Sequence, residues 1–306
     1  MELRPHPFTL RQLQYVVAVA ETRNFRRAAE RCRVAQPSLS AQLSQLEEAL
    51  GVRLFERTSR GVLVTAAGEE IVARARKLIV DGDDLVSAAR RLGDPLAGTL
   101  RVGVIPTISP YLLPAIVPAL RKKHPRLSLV WTEDRTSSLV AALDAGSLDA
   151  ALLALVPETS ELESEVIARD AFVLATPREH PLARSPRRAR QDDLSGVPVL
   201  LLDDGHCFRD QSLAYCGPAG AMELGFRATS LPTLTQMVAS GAGVTLLPQL
   251  AVPAEARQAR LAIRQFADPE PHRTIALVWR PSSPLAPALR EVAATMRQAY
   301  PNENGR

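Results

Sequence analysis

Apolar residues at helical spacing open the chain. In residues 9–21, Leu10, Leu13, Val17 and Ala20 share one face behind Thr9, whose hydroxyl suits a helix N-cap. A second helix fits residues 25–33 after Asn24, and a third runs over 36–50 with Leu39, Leu43, Leu46 and Leu50 as its buried stripe. Pro37 lies in the first turn of that third helix, where its missing N–H costs nothing, and Gly51 stops it. The short turn at Val34 and Ala35 makes the second and third helices a helix-turn-helix. A hairpin follows, with Leu54 and Phe55 on one arm, a turn at Ser59, Arg60 and Gly61, and residues 62–64 on the other. Residues 67–92 place Ile71, Ala75, Leu78, Leu85 and Ala89 at near-heptad spacing. A lone amphipathic helix of that length suggests pairing with a second copy, with Gly82 weakening its middle.

Past Gly98 the texture changes. Strand patterns at residues 99–105, 127–131, 150–155, 171–176, 197–202, 243–247 and 274–279 alternate with helical ones at 109–123, 137–145, 231–240 and 286–300. Such alternation predicts a parallel α/β sheet. Ser109, followed by Pro110, is expected to cap the helix that starts there. The expected division is a helical head at 1–66, a linker helix at 67–95 and an α/β domain at 96–306. That domain has room for two lobes, one of about 96–168 with 273–306 and one of about 169–272, with a cleft between them.

Composition narrows the class. A chain of 306 residues, 46% hydrophobic and 23% charged, is globular and long enough for about two domains. The longest uncharged stretch, 228–254, is interrupted by polar residues and proline and makes a poor membrane span. No apolar secretory segment is evident and three cysteines cannot build a disulfide scaffold, so a cytoplasmic protein without membrane attachment is expected. The net charge of +4 sits in the head: residues 1–60 hold ten arginines, no lysine and six glutamates, and the rest is neutral. A basic head on a neutral body is the footprint of a nucleic-acid-binding module, although a solvated arginine face has the same composition.

Cys32 reads as a small packing residue. Cys207 and Cys216 lie nine residues apart among charged neighbours, beside His206. They are open to three readings: inert buried thiols, metal ligands, or a redox pair. The spacing lacks the closely paired ligands of structural zinc sites, so neither a metal nor a cofactor is expected.

The run AAERCRVAQPSLSAQLSQLEEALGVRLFERTSRGVLVTAAGE resembles the DNA-binding head of the LysR-type transcriptional regulators, and SGAGVTLLP resembles a segment of their effector domain. The resemblance implies an N-terminal winged helix-turn-helix, a long linker helix and a C-terminal α/β two-lobed, periplasmic-binding-protein-like effector domain. It further implies a homo-oligomer, a dimer of dimers, acting on double-stranded promoter DNA together with RNA polymerase. The segment DGHCFRDQ with its following cysteine, and the runs VGVIPTISPYLLP, FRATSLPTL and RTIALVWRPSSPL, are similar to the hydrogen-peroxide-responsive branch of that family. Carried over, Cys207 is the peroxidatic and Cys216 the resolving cysteine, reset by thiol reductants such as glutaredoxin or thioredoxin. Thr107 and Thr136 match hydroxyls that hold peroxide and a water, and Arg273 matches a lone cation near the sulfur, with His206, Arg209 and Asp210 in support. Gly225 departs from the pattern, since a polar residue such as His is common there.

Elementary chemistry bears on each of these. A recognition helix presents its first turns to base edges, here Gln36, Ser38, Ser40 and Gln42, and Gln can bond adenine through two hydrogen bonds. Arg57 and Arg60 in the wing suit phosphate or minor-groove contact. For Ser38, Thr107 and Thr136 helix capping is the alternative role. A thiolate is the nucleophile, so a cation such as Arg273 or Arg209 near the sulfur favours reaction. If residues 208–215 are helical, the two cysteines stand roughly 13 Å apart and cannot join without local refolding. The competing functions are a regulator whose cleft binds a small metabolite, with incidental cysteines, and a thiol peroxidase, for which a basic head has no use.

Overall fold

The computed structural model describes residues 5–58, 61–90 and 96–301, the side chains at 57, 58 and 87–90 excepted. Contacts divide the chain into two compact units, Met1–Arg90 and Arg91–Arg306.

In the first unit, α1 (Leu10–Thr22) opens on a capping box: the Thr9 hydroxyl accepts from the Gln12 N–H, and the Gln12 side chain accepts from the Thr9 N–H at 2.9 Å. Helix α2 (Phe25–Cys32) is capped by the Asn24 side chain on the Arg27 N–H, 3.0 Å. Helix α3 (Gln36–Leu50) has Ala35 at its N-cap with no side-chain bond, so Ser38 does not cap it, and it ends at Gly51 with φ 69°. Leu39, Leu43 and Leu46 pack against Val16, Val19, Ala28 and Ala29, which closes the helix-turn-helix around one apolar cluster. Strands β1 (Phe55–Thr58) and β2 (Gly61–Val64) form an antiparallel wing. Ser59 and Arg60 of the turn lie outside the described residues.

Helix α4 (Ala66–Arg90) runs on through Gly82 and packs along α1. Leu78, Leu85 and Val86 of this helix are exposed. The Thr65 hydroxyl accepts from the Gly68 N–H (2.9 Å) and donates to the Arg53 carbonyl (2.7 Å), which ties the start of α4 to the wing. A Cβ at Gly68 would lie 2.2 Å from the Leu54 carbonyl oxygen.

The second unit contains β3 (Gly98–Val104), α5 (Ser109–Lys123), β4 (Leu127–Glu133), α6 (Thr136–Asp144), β5 (Ala150–Ala154), β6 (Glu163–Thr176) and β7 (Pro198–Leu202). It continues with α7 (Cys207–Cys216), β8 (Met222–Ala228), α8 (Leu231–Ala239), β9 (Thr245–Pro248), α9 (Val252–Gln258), β10 (Ala262–Gln265), β11 (His272–Trp279) and α10 (Ala286–Ala299). Among the described residues one sheet runs β10-β6-β11-β5-β3-β4, with β9 also on β6, and a second pairs β7 with β8.

The sheet is mixed, which corrects the all-parallel expectation. Strands β4-β3-β5 and β7-β8 are parallel, whereas β11 is antiparallel to β5 and β6, and β9 and β10 are antiparallel to β6. No α-helix separates β5 from β6 or β10 from β11, and parallel neighbours need a crossover of a dozen residues or more. Strand β6 begins well before residue 171, because the charged stretch ESEVIARD conceals its first half. Ser109 is the first residue of α5, not its cap: Ile108 holds that position without a side-chain bond.

Strand β6 serves both lobes. Its first half pairs with β11 and its last residues with β9 and β10. Leu100, Ile116, Leu152, Leu277 and Trp279 belong to one apolar core, and Phe172, Leu174, Leu200, Leu246 and Phe266 to another.

A glycine-to-alanine change in a helix ordinarily adds about 1 kcal/mol of stability. Gly68→Ala is expected to do the reverse, lowering the melting temperature of the first unit and its DNA affinity, because the added carbon must displace the Leu54 backbone. Calorimetry on the unaltered and altered chains checks the sign.

Candidate redox site and nucleic-acid interface

Three segment ends converge where the two cores meet. Thr107 lies just before α5, Thr136 opens α6, and Cys207 opens α7. With Ile105, Pro106, Arg135, Gly205, His206 and Phe208 they line a pocket holding about 10 Å³ of free space, the lower limit for one water-sized molecule. Neither threonine hydroxyl serves as a helix cap. The Thr107 oxygen accepts from Arg273 at 2.7 Å. The Thr136 hydroxyl is buried and in no complete hydrogen bond, although it lies near enough to the Cys207 sulfur to favour its ionised form.

Arg273 is not the expected lone cation. Fully buried on β11, it donates from Nε to Asp170 on β6 (2.9 Å), and the same carboxylate lies 2.9 Å from its Nη2. Its remaining donors reach the Thr107 hydroxyl and, at 3.0 Å, the Thr107 carbonyl. The other oxygen of Asp170 accepts from the Leu250 N–H at 2.9 Å. A buried arginine needs such a partner, because unpaired burial of its charge is prohibitive. The pair therefore positions Thr107 first and polarises the sulfur second. Sequence spacing carried no sign of Asp170, which sits 103 positions away.

Arg209 is also directed elsewhere. Its guanidinium bonds Asp204 (2.9 Å), Glu223 on β8 (2.8 Å) and the Leu202 carbonyl (3.3 Å), which holds the first turn of α7 in place and leaves no role as the cation on the sulfur. Asp204 also pairs with Arg227. Asp210 is exposed and its charge opposes ionisation of Cys207. His206 is the N-cap residue of α7 and makes no side-chain cap bond. Burial and the nearby Arg135 charge hold its imidazole below the usual histidine range, so it is neutral at pH 7.

Burial pushes the Cys207 thiol up, and the Thr136 hydroxyl, Arg273 and the Phe208 N–H recover only part of that rise. The cation expected to lower it is present but outweighed. Cys216, at the other end of the ten-residue α7, is pushed up to about 12 by burial alone. The helix keeps the thiols roughly 13 Å apart along its axis. Cys207 packs in the core of the first lobe, whereas Cys216 packs in that of the second.

Residues 10–69 match the family described as "Bacterial regulatory helix-turn-helix protein, lysR family", and residues 93–301 match the "LysR substrate binding domain". The chain belongs to the LysR family of bacterial regulators, in its OxyR branch. It is 45% identical over 289 residues to the "DNA-binding transcriptional dual regulator OxyR" of Escherichia coli, covering 94% of each chain. A full-length OxyR variant from Pseudomonas aeruginosa superposes with a TM-score of 0.76 at 35% identity, covering 99% of this chain and 100% of that one. A hydrogen-peroxide-bound OxyR variant from Corynebacterium glutamicum gives 0.64 at 36% identity, covering 98% and 95%.

In the LysR-family head, Gln36 and Ser38 are exposed at the start of α3, and Ser40 and Gln42 are half-buried. Gln42 donates to the Gln45 side chain (3.2 Å), so part of its hydrogen-bonding capacity is already used. Arg57 lies on β1 and its side chain, like all of Arg60, falls outside the described residues. The fold adds residues that spacing did not single out: Arg23, Asn24 and Arg26 share one notch with Gln36 and wing residues Gly61 and Val62. The arginine-dense TRNFRR run was the available signal.

A raised thiol pKa leaves little thiolate at neutral pH, and below that pKa the thiolate fraction rises about tenfold per pH unit. The rate of Cys207 oxidation is therefore expected to climb steadily from pH 6 to 8. Stopped-flow thiol loss measures it; a rate flat across that interval rules out the buried, protonated resting state.

Proposed function

We propose that this LysR-family regulator senses hydrogen peroxide through reversible formation of a Cys207–Cys216 disulfide and so controls oxidative-stress genes. The observation that carries the reading is the pocket itself: Cys207 at a helix N-terminus, facing space for one small molecule between Thr107 and the unpartnered Thr136 hydroxyl. The Cys207 thiolate attacks one peroxide oxygen and the O–O bond breaks. The departing hydroxide takes up a proton to become water, and Cys207 is left as a sulfenic acid. Donation from the Thr107 and Thr136 hydroxyls to the oxygen that gains charge would stabilise it. Attack by the Cys216 sulfur on the sulfenic acid then expels a second water and closes the disulfide.

That second step cannot take place in the reduced fold. A disulfide needs Cα atoms within about 7 Å, and α7 holds the cysteines at its two ends in separate cores. Helix α7 is also costly to keep. Gln211 Oε1 and Ser212 Oγ are buried in it without hydrogen-bond partners, each at about 1–3 kcal/mol. Opposing this, Arg209 clamps one end and the Gln191 side chain donates to the Tyr215 carbonyl (2.6 Å) at the other. Unwinding α7 repacks Phe208, which stacks edge-on against Phe172, and Tyr215, which does the same against Phe266. In a dimer of dimers this repacking alters the spacing of the DNA-binding heads on promoter DNA and their contacts with RNA polymerase, and glutaredoxin or thioredoxin restores the dithiol. The exposed Leu78, Leu85 and Val86 of α4 support pairing with a second copy. A metabolite-binding role finds no support in this pocket, which is too small for a metabolite.

Stoichiometric peroxide is expected to link Cys207 to Cys216 and change the promoter footprint; Cys207→Ser abolishes both, and Cys216→Ser stops at the sulfenic acid. Peptide mass spectrometry with footprinting reads this out, and unchanged thiols at excess peroxide dispose of the sensor. In the head, Gln36→Ala should relax preference at one base of a half-site. Arg57→Ala should instead weaken binding to all sequences and reduce the salt slope by about 1, measured by titrating labelled duplexes at several salt concentrations.

A further inference from the structure

The residues that line the Cys207 pocket differ in their access to solvent. Thr107, Thr136, His206 and Cys207 in its wall are buried, whereas Gly205 is exposed and Arg135 and Pro106 are half-buried. Arg135 immediately precedes α6, so its backbone belongs to the side of the pocket that carries Thr136, while Gly205 belongs to the loop that leads into α7. The Arg135 side chain bridges the two. Its Nη2 lies 3.5 Å from the Asp203 carboxylate, and a Cβ on Gly205 would meet its Nη1 at 3.1 Å and its Cδ at 3.2 Å. Gly205, at φ +86°, takes a left-handed conformation that brings the loop against the arginine with no side chain between them.

We propose that Arg135 sets the oxidant specificity of the site: held across the entrance by Asp203, it admits hydrogen peroxide and excludes bulkier organic hydroperoxides. The proposal rests on the peroxide-sensing reading above. For any hydroperoxide ROOH the chemistry is the same. Sulfur bonds to the oxygen remote from R, the O–O bond breaks, and the thiol proton ends on the departing RO group, leaving sulfenic acid and ROH. The oxidants differ in R alone, so discrimination falls to the space that R must cross and occupy. The interior offers about 10 Å³, and among the lining residues with access to solvent Arg135 has the long side chain.

The test compares second-order rates of Cys207 oxidation by hydrogen peroxide and by tert-butyl hydroperoxide, in the full chain and in Arg135→Ala and Asp203→Asn variants. The Arg135 and Asp203 side chains are 42% and 35% exposed, so neither change removes core packing. Arg135→Ala is expected to raise the tert-butyl hydroperoxide rate at least tenfold and to leave the hydrogen peroxide rate within threefold. Asp203→Asn, which frees the guanidinium but keeps its bulk, should give a smaller rise. An unchanged ratio of the two rates in Arg135→Ala overturns the proposal, as does an equal fall in both, which would give Arg135 a part in activating the thiol. If hydrogen peroxide leaves Cys207 of the unaltered chain unoxidised, it is the sensing reading that fails, since the ratio then has no meaning.

Discussion

Helix α7 is the constraint on which the rest of the structure turns. It begins at Cys207 and ends at Cys216, and the lobes bury those ends in different apolar cores. A short disulfide between neighbouring loops would be a local staple. The Cys207–Cys216 bond proposed above could close only if a helix were lost and at least one core gave up a residue, so its effect would reach well beyond the two sulfurs. Interiors are close-packed, and such a change is resolved by switching between two packings more readily than by gradual deformation.

The site is built on a tension between burial and reactivity. Desolvation pushes both thiols toward their protonated form. What the pocket supplies to Cys207 is a set of modest opposing influences: a neighbouring hydroxyl, a backbone N–H at the helix start and a buried guanidinium. Cys216 has none of these. In the sensing reading proposed above, that asymmetry fits Cys207 as the thiol that attacks peroxide in place and Cys216 as the one that must first be released.

The Arg273–Asp170 pair shows why a buried charge need not act as a catalytic one. Losing either member of such a pair costs about 3–5 kcal/mol, because the survivor is left uncompensated. In return it joins β11, β6, the Leu250 backbone and the Thr107 turn into one rigid corner. The pocket takes its shape from that corner. Arg209 follows the same logic at the other wall, where Asp204 and Glu223 fix the first turn of α7 against β8.

Local rules determined much of this protein from sequence alone. The helix-turn-helix, its Thr9 and Asn24 caps, the Gly51 stop and the wing all follow from capping, periodicity and turn chemistry within a few residues of one another. That Cys207 and Cys216 stand at the two ends of one helix followed from the sequence only on the condition that residues 208–215 are helical, which the fold supplies. Tertiary structure decided what depends on remote partners. The mixed sheet arises because β6 and β11 are entered without crossover helices, and the charges of ESEVIARD masked a strand that only its neighbours reveal. Asp170 beside Arg273, Asp203 beside Arg135, and the sealing of the two thiols in separate cores join residues distant in sequence or in different lobes. Hydrophobic period and propensity act over a few turns of chain, whereas the pairing of buried charges and the desolvation of a thiol are fixed only once the two lobes have closed around them.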